Sequence, residues 1–396
     1  MAISRGEGLM NATTAIENVS RIRFGGVEYR LWCLTSLLLA VGLLMAFDLG
    51  YSPLSDDTYT GYLWNVVKFV LLIGAGVLCA YGLRIIPRNW LYISSHILMA
   101  IAIGLLVYTA EHGVVQNHAR RWIGLWGMTF QTSEFFKFAL VIGLAAALTP
   151  LNNGSNFKSF KLFLKGLFWL ELAAGIVLIF LQPNHSAALI IAVAVFVIAF
   201  FSWIKWQYIV GAGLIIFLCL AVFIMKDAEK RNRIMAWLTK SQQKQTLTLS
   251  DERFQAEEAK KAIEAAGLLG HGIGHSIIKQ SLPVASSDFV FAIIVEETGF
   301  IGGLILLGLY LVFFLTAFEV IAGEPDELLR LMGLGLILLI AFNVILHVAV
   351  NLDLLPTTGV PLPFVSQGGS ALLMNLLSMG LIFNLARHRD MEKIQL

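Results

Sequence analysis

Long apolar runs, separated by short polar punctuation, organise this chain from residue 31 to residue 386. They lie near 31–49, 63–83, 91–109, 133–149, 162–181, 186–203, 206–225, 289–321, 329–350 and 367–386. A helix needs roughly 20 apolar residues to cross about 30 Å of hydrocarbon, and these runs have about that length. Only helices or closed barrels satisfy the backbone in lipid. The runs are too long and too continuous for the alternating pattern of barrel strands. The pattern therefore predicts an all-α polytopic membrane protein of about ten transmembrane helices. The boundary between the fifth and sixth rests only on Gln182, Pro183 and Asn184.

Composition agrees with this reading. Of 396 residues, 58% are hydrophobic and 14% charged, against about a quarter charged in a soluble domain, and the mean hydropathy is +0.78. That is too little charge to cover a soluble surface. The net charge of +2 says little, and no nucleic-acid partner is expected. The distribution of charge says more. With ten crossings, one side carries Arg5, Arg21, Arg23, Arg30, Arg84, Arg88, Lys158, Lys161, Lys165, Lys205, Arg330, Arg387, Arg389 and Lys393, whereas the short loops opposite hold only Arg120 and Arg121. Positive charge stays inside, so both termini are expected in the cytoplasm: a tail over 1–30, a membrane domain over 31–387 and a short tail over 388–396. The long segment 226–288 is placed outside, because long loops translocate largely regardless of charge. No signal-peptide pattern opens the chain, so the first helix is expected to act as an uncleaved signal. Cys33, Cys79 and Cys219 fall within predicted spans. They read as buried inert thiols, without the clustering a metal site needs and without a disulfide framework.

Two polar regions interrupt the pattern. In 226–288, Ile234, Trp237 and Leu238 recur at helical spacing around Arg233, a face suited to lying on a membrane. A second helix is predicted from Ser250 to near Gly267. Then come GLLGHGIGHS (267–276) and a stretch leading to Asp288. The alternating Gly270, Gly272 and Gly274 suit a backbone that approaches a ligand or helix closely. His271 and His275 stand four apart, but the glycines between them argue against a helical metal site. Asp288, at the mouth of an apolar helix, is either an N-terminal residue favoured by the helix dipole or a carboxylate poised as general base. Glu296 and Glu297 follow on the same helix, about 12 Å further on in the case of Glu296. They are expected to face the bundle interior, pairing structurally or lining a cavity.

The second region, LDLLPTTGVPLPFVSQGGSALL (352–373), carries three prolines that exclude a regular helix. It is longer than a plain connector needs, which predicts a functional or re-entrant loop. A smaller constellation is RRWIGLWGMTFQTSEFFKFAL (120–140), where Arg120, Arg121, Trp122 and Trp126 read as a membrane-interface anchor. Glu134 and Lys137 share a helical face and could pair, for packing or for holding a pyrophosphate.

These blocks, with LQPNHSAAL (181–189), DFVFAIIVEETGFIG (288–302) and LPTTGVPLPFVSQGGSALL (355–373), resemble in order the signature blocks of the SEDS family (shape, elongation, division and sporulation). The resemblance covers nearly the whole chain. It implies a glycosyltransferase that polymerises lipid II, the undecaprenyl-pyrophosphate-linked disaccharide-pentapeptide, and works with a class B penicillin-binding protein and other division proteins. It implies a place in the bacterial plasma membrane, at the division septum if the chain belongs to the division branch. The Gly272-Ile273-Gly274-His275-Ser276 pattern resembles that branch more than the elongation branch. Asp288 matches the family's essential aspartate and Arg233 a family arginine suited to a phosphate. Gln255 and Lys279 fall on family-like positions. Glu134, Lys137, Ser366, Gly368 and Gly369 lie in the matching blocks and are carried as substrate-binding candidates. No dedicated cofactor is implied, although a divalent cation, magnesium or manganese, could share the pyrophosphate charge. The chain departs from the family pattern at Val284, Ser286 and Ser287 before the aspartate, at Asn184 for a carboxylate, at Glu258 for a glutamine and at Thr132 for a proline. Rival readings are an elongation-type polymerase, a transporter that flips lipid II without chemistry, and a structural hub in which Asp288 only caps a helix. A transporter would show inverted repeats, and none is evident.

Overall fold

A computed structural model describes residues 26–50, 59–116, 119–125, 128–149, 158–182, 184–202, 251–281 and 285–395, with the isolated positions 207 and 211. Arg233 lies outside the described residues, as does the predicted seventh span, 206–225, apart from positions 207 and 211, and with it Cys219. The first three helices are α1 (Val27–Gly50), α2 (Tyr59–Leu83) and α3 (Arg88–His112). Three short strands follow, β1 (Val114–Gln116), β2 (Ala119–Leu125) and β3 (Met128–Gln131). Then come α4 (Thr132–Leu148), α5 (Lys158–Leu181), α6 (His185–Phe200) and α7 (Asp251–Ala265). The chain continues through two single turns, α8 (Ile278–Ser281) and α9 (Ala285–Asp288), into α10 (Val290–Ala322), α11 (Glu327–Asn351) and α12 (Gly369–Gln395).

The helices given above, among the described residues, overlap nine of the ten predicted runs. Among the described residues, α1, α2, α3, α5, α10, α11 and α12 are each long and apolar enough to cross a membrane, while α4 and the apolar part of α6 are shorter. Their surfaces sort the bundle. The apolar windows of α12 and α11 are 83% and 67% buried, against 22% for α2 and α5, and α4 is buried along most of its length. So α4, α11 and α12 form the middle, and the outer helices turn residues such as Leu44, Leu71, Leu78 and Leu170 outward, as lipid-facing helices do. Cys33 and Cys79 are exposed on those outer faces, which corrects the reading of them as buried. Where α6 begins, the Asn184 side chain accepts from Ala187 N–H at 3.2 Å, capping the helix, and donates to Ser133 Oγ at 2.9 Å. The amide therefore serves both partners without leaving a charge in the bundle.

The all-helical expectation is corrected at one place. β1, β2 and β3 form an antiparallel sheet in that order, with Trp122 opposite Gln131 and Leu125 opposite Met128. Arg120 and Arg121 sit on β2, bonding the carbonyls of Glu111 and Gln182. Their strand is too short for its period-two alternation to stand out beside helical runs.

The long predicted eighth span is also not one straight helix. At Gly299 the backbone turns to φ 76°, ψ −176°, a conformation open to glycine. The turn receives the 267–281 segment: Phe300 N–H donates to the Gly267 carbonyl, and His271 and Gly272 N–H donate to the carbonyls of Glu296 and Glu297, all at 3.0 Å. A Cβ on Gly270 would sit 2.3 Å from the Glu297 carbonyl oxygen. The close approach expected of the glycines is therefore made at Gly270, and it is to a helix. Meanwhile α7 packs its small face, Ala256, Ala259 and Ala262, against α10.

The 352–368 segment enters the bundle. Phe364 packs edge-on against Phe313, and the Tyr310 hydroxyl donates to the Pro363 carbonyl. Tyr310 lies about 16 Å along α10 from the Gly299 turn, so the loop is re-entrant. A Cβ on Gly42 of α1 would stand 2.3 Å from the Phe364 carbonyl oxygen, so this helix can pass the loop only with glycine there.

Candidate functional site

Asp288 ends the α9 turn, and Phe289, at φ −125° and ψ 20°, breaks the helix before α10 begins. The carboxylate therefore stands on a corner instead of inside the first turn of the long helix. Ser287 Oγ donates to Asp288 Oδ1 at 2.6 Å. Asn351 Nδ2 donates to the Asp288 backbone carbonyl at 3.0 Å. Ser366 Oγ donates to the Ser287 carbonyl and accepts from Leu362 N–H, each at 2.8 Å, so the re-entrant loop is stitched to the corner. Gly359, at φ 62°, passes so close that a Cβ there would lie 3.4 Å from Asp288 Oδ2. Asp288 itself is half-buried. Burial pushes its carboxyl above the usual carboxylate range, and the Ser287 hydrogen bond pulls it partly back. A half-buried carboxylate with a raised proton affinity suits a general base.

A second cluster lies further along α10, at Glu297. Lys279 Nζ meets Asp48 Oδ1 at 2.8 Å, Asp48 Oδ2 at 3.0 Å and Glu297 Oε1 at 2.9 Å. An ammonium has three donors, and all three face carboxylate oxygens. Burial pulls this ammonium down, but the bonds to Asp48 and Glu297 outweigh it and hold it above the ordinary lysine value. Glu297 Oε1 also accepts from Gly274 N–H at 3.1 Å, and Glu296 Oε1 from Ile277 N–H at 2.9 Å. Of the two readings of Glu296 and Glu297, the structure selects structural pairing: they clamp the glycine segment. Lys279 fastens α1, α8 and α10 together, and could reach a substrate phosphate only by leaving its carboxylates.

The other predicted residues are distributed more widely. Glu134 and Lys137 pair at 2.7 Å, with side chains 12% and 4% exposed. They line a cavity of about 20 Å³ with Asn343, Asn375 and Ser378, room for about one water. Asp288 is not among its walls. Gln255 lies half-buried on α7. Gly368 packs against Pro361 and Gly369 opens α12, beside Ser366 at the loop's end. His271 and His275 are both exposed. The sequence reading missed His347 and Asn351. Both are buried on α11, and polar side chains recurring every fourth residue in an apolar helix (Asn343, His347, Asn351) were the available signal.

The family described as cell cycle protein, FtsW/RodA/SpoVE, matches residues 29–391. The chain belongs to that family. Among its relatives, stage V sporulation protein E of Bacillus subtilis is 29% identical, over 90% of this chain and 95% of that protein. A probable peptidoglycan glycosyltransferase FtsW of Thiomicrospira cyclica is 30% identical, over 93% and 94%. Among solved structures, a chain from a peptidoglycan synthase complex, described as coordinating polymerization and crosslinking, superposes with a TM-score of 0.71 at 26% identity, covering 91% of this chain and 98% of that one. The rod shape determining protein RodA of Thermus thermophilus superposes at 0.64 and 23% identity, covering 93% and 99%, and shows the fold alone.

Proposed function

We propose that this chain is a peptidoglycan glycosyltransferase of the division branch, integral to the plasma membrane, polymerising lipid II at the septum beside a class B penicillin-binding protein. The observation that carries the reading is the Asp288 corner: a half-buried carboxylate with one side-chain partner, held between a helix start and a re-entrant loop. Relatives called peptidoglycan glycosyltransferase FtsW support the reaction class, and the neighbour from a synthase complex supports a crosslinking partner.

Mechanistically, the 4-hydroxyl of the acceptor sugar approaches Asp288 Oδ2. The carboxylate takes its proton as the oxygen attacks the anomeric carbon of the donor. A new glycosidic C–O bond forms while the bond from that carbon to the lipid pyrophosphate breaks, and the pyrophosphate leaves with the electron pair. Its charge needs stabilisation, which is the largest demand of such chemistry. Arg233 is the candidate for that task, with Gln255 and the backbone at Ser366, Gly368 and Gly369 shaping the approach. Lys279 acts by holding the 267–281 segment, and the Glu134–Lys137 pair by bracing α4. Among the described residues no three His, Cys, Asp or Glu side chains gather.

The test uses purified full chain with its penicillin-binding partner and labelled lipid II in vesicles. Glycan strands are the expected product. Movement of lipid II across the bilayer without any polymer would replace this reading with the transporter.

A further inference from the structure

The first N–H groups of a helix have no acceptor within it, and Phe289 supplies no side-chain cap for α10. The acceptors come from another helix. Phe291 N–H donates to His347 Nε2 at 3.4 Å, and Ala292 N–H donates to Asn351 Oδ1 at 3.0 Å. His347 and Asn351 stand one turn apart on α11 and are 1% and 0% exposed. Neither stops at capping. Asn351 Nδ2 donates to the Asp288 carbonyl at 3.0 Å and to the His347 carbonyl at 2.8 Å, so both amide protons and the amide oxygen are engaged. His347 Nδ1, the protonated nitrogen this network requires, donates to the Val360 carbonyl at 2.8 Å. Val360 follows Gly359, the residue that borders Asp288 Oδ2.

We propose that His347 and Asn351 are positioning residues for Asp288. Asn351 holds the backbone that carries the carboxylate. His347 holds the first turn of α10 on one ring nitrogen and the re-entrant loop on the other, and so sets the gap into which an acceptor hydroxyl must fit. A cap alone would need only the Nε2 and Oδ1 contacts. Of the three further bonds, those to Val360 and to Asp288 reach the two walls of the reaction space.

The proposal rests on the glycosyltransferase reading, and its test separates the two. Full-length wild type, His347→Leu and Asn351→Ala are compared with the penicillin-binding partner in two measurements: lipid II polymerisation kinetics, and backbone hydrogen exchange over 289–293. Each variant is expected to lower kcat by roughly 10- to 100-fold, the scale of a small misplacement of a reacting group. KM is expected to stay within about twofold, because the substrate's binding contacts are not removed. Exchange should accelerate at Phe291 and Ala292 while the rest of α10 stays protected. If one variant fails to fold, the other carries the test. Unchanged exchange, or faster exchange with wild-type kcat, would overturn the proposal. A wild-type chain that makes no glycan removes the catalytic reading instead, and exchange alone then decides whether these side chains fix the Asp288 corner.

Discussion

The Asp288 backbone carbonyl accepts a hydrogen bond from Asn351 Nδ2 at 3.0 Å, so the candidate base is carried by a helix other than its own. Its position thus depends on long-range packing among α9, α11 and the re-entrant loop, and substitutions far along the sequence should alter its chemistry.

The first prediction concerns pH. The Asp288 carboxyl is raised, chiefly by burial, and a base works only when ionised. Activity should therefore fall on acidification with a midpoint above the ordinary aspartate value of about 3.9. Ser287→Ala removes the hydrogen bond that favours the ionised form, so the acid limb should shift to higher pH. The profile of kcat/KM against pH reads both effects, and a shift to lower pH in the variant would contradict the assignment.

A second prediction concerns the ion cluster. Lys279→Met leaves Asp48 and Glu297 without their cation, with side chains 8% and 2% exposed. Removing one partner of a buried pair costs about 3–5 kcal/mol, so the variant should unfold at markedly lower temperature. Adding Asp48→Asn should recover part of the loss. Because the Lys279 value is raised in the fold, its stabilisation is fully present below the unfolded lysine value of about 10.4 and fades only as pH rises through the folded one. Stability near neutrality should not depend on its titration.

Backbone geometry supplies a third prediction. Gly270→Ala would combine a φ of 74° with a Cβ 2.3 Å from the Glu297 carbonyl oxygen. Strain of this kind costs on the order of 1–3 kcal/mol before any clash is counted. Thermal unfolding should register it, together with faster exchange across 270–278. Gly267→Ala, also at positive φ but with open space around its Cβ, should cost less, and equal losses would mean that the close approach does not matter.

How far the chain could be read in advance follows from where its constraints lie. Run length and charge exposed the helices, because a membrane filters for both. The Glu134–Lys137 pair was legible because its spacing puts both residues on one face. Asp288 and the re-entrant loop were legible from polar residues and prolines beside apolar helices. The small sheet was not, since its strands are short and the pairing of Trp122 with Gln131 is visible only once the chain folds back. The break at Gly299, just after Glu296, Glu297 and Thr298, was hidden because the apolar residues on both sides read as one span. His347 and Asn351 were hidden within an apolar helix, and their importance lies in partners far away in sequence, Phe291, Ala292 and Asp288, and in the loop residue Val360.

The most direct test of the catalytic assignment compares wild type with Asp288→Asn, a near-isosteric change that keeps the backbone bond from Asn351 but cannot take up a proton. The measurement is the rate of glycan-strand formation from labelled lipid II by the purified chain with the proposed penicillin-binding partner, after equal folding of both proteins is verified by thermal unfolding. Loss of a general base predicts a fall of about 10²- to 10⁴-fold. Strand formation at the wild-type rate by Asp288→Asn would contradict the account.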